Sequence, residues 1–411
     1  MKYLKEISRI LVGIVFIFSG FVKAIDPLGS MYKFSDYFDA FHMAFLNDLA
    51  LPFAIILNVA ELMIGIALFL KLRIRLTAWV AVFFMGFFTL LTLVLAIFNP
   101  VSDCGCFGDA IKLSNWGTFY KNLILIGLVF HVFFKRKNFK TMFPIDVQWI
   151  WVGLSLGIGL FISVYSFQHL PVLDFRPYHV GVNIPNAMII PDDAEPDQYE
   201  TTLIYEKEGT QKEFSLENYP AEDTTWVFVD QNSKLVKKGY EAPIHDFMLF
   251  DSKGIDYSED ILNSQDYNFI FCAKNLAKVK SEDVKKLKAL EDYSKRTGIN
   301  YYWITSNSWD KTKNFKRIHG LSSTFYNMDQ TTLKTIVRAN PGVLLIKDGT
   351  IIGKWHVNDL PEFEKENIDL LSFVLSDMEK LKERQFITIL LFLFLASILS
   401  FQRFLKGRLK A

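Results

Sequence analysis

Long apolar runs broken by short polar stretches dominate the first 170 residues of the chain. The runs lie at roughly 8–25, 50–70, 76–98, 117–134 and 148–169, and a further one closes the chain at roughly 386–405. Each is long enough to cross a bilayer, which takes about 20 residues of helix. The first run follows Lys2, Lys5 and Arg9, a charge pattern shared with signal peptides; it reads as a transmembrane helix. Between the first two runs, the spacing of Tyr37, Phe38, Phe41 and Phe45 predicts a helix lying on the membrane surface.

The stretch 170–385 is polar and changes character near residue 245. Before that point, 170–244 is a turn-rich connecting region with strand-like pieces at Thr201–Tyr205 and Trp226–Val229. After it, 245–362 alternates strand and helix patterns, which predicts an α/β domain. Asn268–Phe271 reads as a strand. Ser281 is placed to cap a helix carrying Val284, Leu287, Leu290 and Tyr293 on one face, closed by Gly298. Ile299–Thr305 is a second strand, and Val343–Ile346, Asp348-Gly349 and Ile351–Trp355 form a hairpin signature. A linking helix over 363–385 leads into the sixth run. In the fifth run, Gly153 and Gly157 form a small-xxx-small pair suited to close helix packing.

Charge sets the orientation. Lys71, Arg73 and Arg75, the cluster Lys135–Lys140 and both termini carry most of the basic residues in short loops, whereas the opposite short loops hold Lys33 and Lys112. The positive-inside rule then puts both termini in the cytoplasm and the 170–385 segment in a bacterial periplasm, with the chain in the inner membrane. With 45 Lys and Arg against 44 Asp and Glu, nothing in the balance points to nucleic acid.

Two of the three cysteines stand in Asp103-Cys104-Gly105-Cys106-Phe107-Gly108-Asp109, between the third and fourth runs. A thiol pair there can form a disulfide, pass electrons to a partner or hold a soft metal. A disulfide between residues two apart closes a small, strained ring, and strained disulfides are readily reduced. Asp103 and Asp109 would raise a thiol pKa, while the N-terminus of the following helix, capped by Ser114 or Asn115, would lower it. Two ligands from one loop, with no histidine near in sequence, do not make a metal site. Cys272 reads as a buried strand cysteine.

Three further polar residues lie within the apolar runs. Lys23 stands about 14 residues beyond Arg9, or roughly 21 Å along a helix. Asn58 and Glu61 are three residues apart and share a face. A carboxylate inside the hydrocarbon must find a partner or stay protonated, which makes it a functional candidate. Lys23 reaches a similar depth, so a Lys23–Glu61 contact is expected, either at a ligand site or as packing alone.

The run Arg9-Ile10-Leu11-Val12-Gly13 through Ser19-Gly20-Phe21-Val22-Lys23, with Glu61 and the Cys-Gly-Cys-Phe-Gly motif, resembles the DoxX and MauE families over about residues 1–135. These are four-helix membrane proteins tied to periplasmic thiol or sulfur redox chemistry, and MauE proteins are associated with disulfide formation during maturation of methylamine dehydrogenase. The later α/β segment resembles thioredoxin, with Pro341 at the position of that fold's cis-proline. It departs at the redox site, where Cys272-Ala273-Lys274-Asn275-Leu276 holds no second cysteine. The expected whole is an α-helical membrane protein, a four-helix bundle plus two further transmembrane helices, with a periplasmic α/β thioredoxin-like domain lacking Cys-x-x-Cys.

Two functions are compatible with this. In the first, Cys104 and Cys106 cycle between dithiol and disulfide and pass electrons to a membrane quinone beside Lys23, Asn58 and Glu61, while the thioredoxin-like domain binds a periplasmic client. In the second, the protein is a non-enzymatic membrane scaffold, an accessory subunit of an envelope biogenesis or secretion complex, and the cysteines are structural.

Overall fold

The structure is a computed structural model that describes residues 2–101, 103–141, 143–237, 239–363 and 369–384. The run expected to form a sixth span at 386–405 lies outside the described residues, as do 364–368 and residue 385 of the expected linking helix. Within the described residues, five helices are long and apolar enough to cross a membrane. The chain divides into two compact units, Asn183–Phe247 and the remainder.

Helix α1 (Lys2–Ala24) turns into α2 (Pro27–Ala40), a short 3-10 turn (Ala44–Leu49) and α3 (Ala50–Leu70). The surface helix expected from the aromatic spacing therefore begins earlier, at Pro27. The cause is local: the Asp26 side chain accepts from Gly29 N at 2.9 Å, and Pro27 occupies the first turn, where its missing N–H costs nothing. α1 and α3 approach closely enough to require glycine. A Cβ at Gly20 would stand 2.4 Å from Leu62 N, and one at Gly65 would stand 2.5 Å from Ile17 N. At the other end of this seam, buried Arg9 donates to Leu68 O in the last turn of α3 and pairs with Glu6 at 3.0 Å.

Helix α4 (Ile74–Phe98) packs along α5 (Asn115–Phe134), where Asn122 Nδ2 donates to Thr92 Oγ1 at 3.1 Å. Ser114 caps α5 by accepting from Gly117 N. Helix α6 (Ile145–Gln168) meets α3 through Gly159, whose Cβ would touch Val59 at 3.1 Å. Gly153 and Gly157, expected as the packing pair, meet no neighbour among the described residues. The buried face of α6 is instead the small-residue stripe Ser155, Gly159, Ser163 and Ser166. It has the same spacing rule, offset by two residues onto a different side of the helix.

The unit Asn183–Phe247 holds α7 (Ile184–Met188) and an antiparallel sheet of β1 (Gln198–Lys207), β2 (Thr210–Ser215) and β3 (Val227–Lys237), in the order β2-β1-β3. β2 has no strand signature in the sequence because its residues are nearly all polar. Its turn is nonetheless encoded, since Glu208 and Gly209 both take positive φ (52° and 79°), as a two-residue hairpin requires.

The remaining sequence forms α8 (Ser258–Leu262), β4 (Asn268–Cys272), α9 (Ser281–Thr297), β5 (Asn300–Thr305), α10 (Trp309–His319), β6 (Thr324–Asn327), α11 (Gln330–Ile336), β7 (Gly342–Lys347) and β8 (Thr350–His356). The five strands run in the order β6-β5-β4-β7-β8. β4 lies between parallel β5 and antiparallel β7 and is buried throughout. Phe269, Phe271, Trp303, Val343 and Leu345 pack with the α9 face Val284, Leu287, Leu290 and Tyr293. Ser281 is the first residue of α9 rather than its cap, which is Lys280 without a side-chain bond. The Asn340–Pro341 peptide is cis. Residues 170–182, read from sequence as part of the connecting region, run along β8 instead: Gly181 N donates to Ile351 O at 2.8 Å and Ile351 N to Val182 O at 2.9 Å.

The glycine contacts make separable predictions. Gly20→Ala and Gly65→Ala force backbone apart and should each cost about 1–3 kcal/mol, the usual range for overpacking. Gly153→Ala should be neutral or slightly stabilising, since helical glycine is worse than alanine by about 1 kcal/mol. Thermal denaturation of the purified variants in detergent checks this; a Gly20→Ala protein as stable as the parent would contradict the close α1–α3 approach.

Candidate functional site

The Cys-Gly-Cys loop connects α4 to α5 and is held by side chains from α1 and α2. Ser19 Oγ donates to Cys106 O at 2.6 Å, and Tyr37 OH donates to Cys104 O at 2.7 Å. Lys33 pairs with Asp103 at 2.8 Å, and Asp103 Oδ1 accepts from Gly105 N at 2.8 Å. Gly105 and Gly108 take positive φ (65° and 54°), the region that glycine enters at no steric cost. Phe107 packs against Phe18, with ring centroids 5.6 Å apart. All three cysteines are free thiols, and the sulfurs of Cys104 and Cys106 lie 3.0 Å apart.

The two thiols are not equivalent. The hydrogen bond between them is the largest influence on both. It lifts Cys104 well above the usual thiol range, together with burial, and brings Cys106 down to about 6. Burial opposes the fall at Cys106, while the Lys121 and Lys23 cations assist it. The sequence-based causes are thereby replaced. Asp103 is neutralised by Lys33 and Asp109 by Arg338, so neither carboxylate dominates the thiols.

Below the loop lies an apolar cavity of about 570 Å³. Cys104, Cys106, Lys23, Asn58 and Glu61 all line it, so every residue singled out for the site from sequence is brought to one chamber. Lys23 donates to Glu61 Oε2, and both side chains are largely buried. Asn58 Nδ2 donates to Lys23 O at 2.9 Å and Ser30 Oγ at 3.0 Å, while its buried Oδ1 has no partner among the described residues. The walls include Phe53 and Ile56 of α3 and Phe87 of α4, and Ile56 and Phe87 are 64% and 63% exposed. Exposed apolar side chains of both α3 and α4 thus line the chamber.

Above the loop, the α/β domain meets the same region. Arg338, in the turn between α11 and β7, pairs with Asp26 at 2.9 Å and with Asp109 at 2.7 Å. Lys274, just after β4, donates to Tyr32 OH. The amide of Asn340 bonds Asn275 N and O, both at 2.9 Å, which holds the Lys274 and Arg338 segments side by side. Lys274, Lys334 and Arg338 all face the Tyr32 ring, 4.9, 4.9 and 5.3 Å from its centroid. Burial pushes Tyr32 up to about 12 and pushes Lys274 down to about 7, the latter aided by the Arg338 and Lys334 charges. Cys272 does not line the chamber; it is buried at the end of β4, and burial lifts its thiol to about 12. No group of three or more His, Cys, Asp or Glu that could hold a metal ion occurs among the described residues.

Sequence reasoning does not single out Lys121, Tyr32, Asp26 or Arg338, and it places Tyr37 on a surface helix without linking it to the thiol loop. Asp26 is visible as a helix cap before proline. The others are single polar residues whose partners lie far away in the chain, and no local pattern marks them.

Two consequences can be measured. Glu61→Leu strands the Lys23 charge, and removing one partner of a buried pair costs about 3–5 kcal/mol; Glu61→Gln keeps a hydrogen-bond acceptor and should cost less. Equal melting temperatures for the two variants would show that the pair carries no electrostatic weight. Lys274 gives a pH signature. Its folded pKa is about 7 against 10.5 unperturbed, so between those values the unfolded chain binds more protons and stability rises with pH. The penalty is complete below pH 7. Lys274→Met should be more stable than the parent at pH 6, with a flatter pH dependence up to pH 10, as read by thermal melts; parallel curves would refute the assignment.

Residues 1–135, which run from α1 through α5, match the family described as methylamine utilisation protein MauE. Residues 199–238, which cover most of the β1–β3 sheet, match a domain of unknown function (DUF8463). No curated protein matches the chain. The region similar to MauE is the one that contributes Lys23, Asn58, Glu61, Cys104 and Cys106.

Proposed function

We propose that the protein is a thiol–disulfide redox protein of the bacterial inner membrane, in which the Cys104–Cys106 pair exchanges electrons between a periplasmic client and a membrane quinone. The observation that carries this reading is the shared chamber: a redox-capable thiol pair and a buried Lys23–Glu61 pair line one apolar cavity. Its volume is that of a small-molecule site, about 300–1,000 Å³. An apolar ligand can enter between Phe53, Ile56 and Phe87. Lys23 offers a donor to a quinone carbonyl, and Asn58 Oδ1, unpartnered among the described residues, offers an acceptor to a quinol hydroxyl.

The electron count closes. A client dithiol reduces the Cys104–Cys106 disulfide by thiol exchange and leaves as a disulfide. Reoxidation of the loop dithiol releases two electrons and two protons, and one quinone takes both to become a quinol. The likeness of residues 1–135 to MauE, and of their motifs to DoxX, agrees with thiol chemistry in a membrane bundle. We place both termini in the cytoplasm, six spans in the membrane and the α/β domain in the periplasm, on the strength of the loop charges.

The α/β domain is read as thioredoxin-like, supported by its strand order and the central, buried β4. Its usual dithiol position holds Lys274 instead. This favours a second reading, in which the domain and its neighbours form an accessory scaffold. One experiment separates the two. The protein in lipid nanodiscs is given a soluble short-chain quinone and dithiothreitol, and quinol is followed by absorbance. The redox reading expects turnover that disappears in the Cys104→Ser, Cys106→Ser double variant and falls at least about tenfold in Glu61→Gln. A double variant that retains turnover, or complements fully in cells, would leave the scaffold reading standing.

A further inference from the structure

Lys121 stands six residues into α5, about 9 Å along the helix, and lines the chamber with Cys106. An ammonium group inside a membrane bundle needs an anion or a polar partner. Lys23 has Glu61, Lys33 has Asp103 and Arg338 has Asp26 and Asp109. Lys121, among the described residues, makes no ion pair or hydrogen bond; its one contact of this kind is with the Phe107 ring, 4.4 Å from the centroid. Phe107 is the neighbour of Cys106 in sequence, and Lys121 and Cys106 line the same chamber, so this cation lies within electrostatic reach of that sulfur.

The other polar groups facing Cys106 already have partners of their own. From α1 comes Lys23, already neutralised by Glu61 of α3. From α2 come Lys33, held by Asp103, and Tyr37, whose hydroxyl donates to Cys104 O. α4 lines the chamber here with Phe84, Met85 and Phe88, which carry no charge. Within the loop, the Cys104 sulfur lies 3.0 Å away.

We propose that Lys121 is the counter-ion of a Cys106 thiolate, so that Cys106 is the sulfur that delivers electrons into the chamber and Cys104 is the thiol that closes the disulfide. The electron step rests on the quinone reading above; the counter-ion assignment does not. In that step the Cys104 S–H bond breaks, the Cys104–Cys106 bond forms, and the electron pair passes to the quinone. The quinol takes one proton from Cys104 and one from solution. Lys121 keeps its proton and acts as a positioning charge, lowering the fraction of time Cys106 spends as an unreactive thiol.

The test needs no quinone. In Cys104→Ser, where the serine hydroxyl preserves the donor, Cys106 alkylation by iodoacetamide is followed by mass spectrometry from pH 5 to 10 in detergent. Lys121→Gln should move the midpoint up by about one pH unit and slow alkylation at neutral pH about tenfold, and Lys121→Arg should restore both. Lys121→His gives a further measure if the glutamine variant fails to accumulate: alkylation should be assisted below the imidazole pKa of about 6.5 and lose that assistance above it. An unchanged midpoint in Lys121→Gln, or an arginine variant that behaves like glutamine, overturns the proposal. A shifted midpoint with no quinone turnover sinks the redox reading while the counter-ion assignment stands.

Discussion

Everything in the bundle depends on how closely α1 can approach α3. Gly20 lies against the backbone at Leu62, and Gly65 against that at Ile17. Lys23 follows Gly20 by less than one turn, and Glu61 directly precedes Leu62. The same contact that brings the helices together therefore brings these two charges within bonding distance. Were the helices separated by ordinary side chains, Lys23 and Glu61 would each face hydrocarbon alone, at a cost that charged groups in a membrane do not normally sustain. Arg9 ties the opposite end of α1 to the last carbonyls of α3, where the helix dipole favours a cation. The seam is thus fixed at both ends, and the chamber beneath the thiol loop is the space left on its far side.

The α/β domain touches this bundle along the edge formed by the turns after β4 and before β7. That edge carries Lys274 and Arg338, and it is engaged by Tyr32, Asp26 and Asp109. Arg338 joins the α1–α2 corner to the thiol loop itself. A domain bound this way contributes charge and shape to the loop's surroundings. The thiols in turn face two ways: their backbone carbonyls are gripped by Ser19 and Tyr37, while their sulfurs line the chamber.

Much of this architecture is legible in the amino-acid sequence. Apolar runs of spanning length need no partner to be recognised, and charges such as Lys23 and Glu61 stand out because their surroundings are apolar. The α9 face and the β7–β8 hairpin are legible for the same local reason, periodicity and turn chemistry. For Gly153 and Gly157 a spacing rule identifies a face without saying which face meets a neighbour; among the described residues the serine stripe two residues away is the buried one. Lys121 escapes notice because a lysine near a helix end is usually a snorkelling residue. Arg338 and Lys274 lie in a polar domain where another cation carries no signal, and their partners are more than two hundred residues away.

That separation gives the Arg338 contact a meaning in time. Asp109 precedes Arg338 by 229 residues, and chains are made at about 5–20 residues per second. The thiol loop is therefore synthesised roughly 10 to 45 s before the arginine that neutralises its carboxylate exists. Throughout that interval the loop carries an uncompensated Asp109 and no covering domain. A newborn copy is then electrostatically unlike a finished one, with the Asp109 charge in its thiol loop still unmatched.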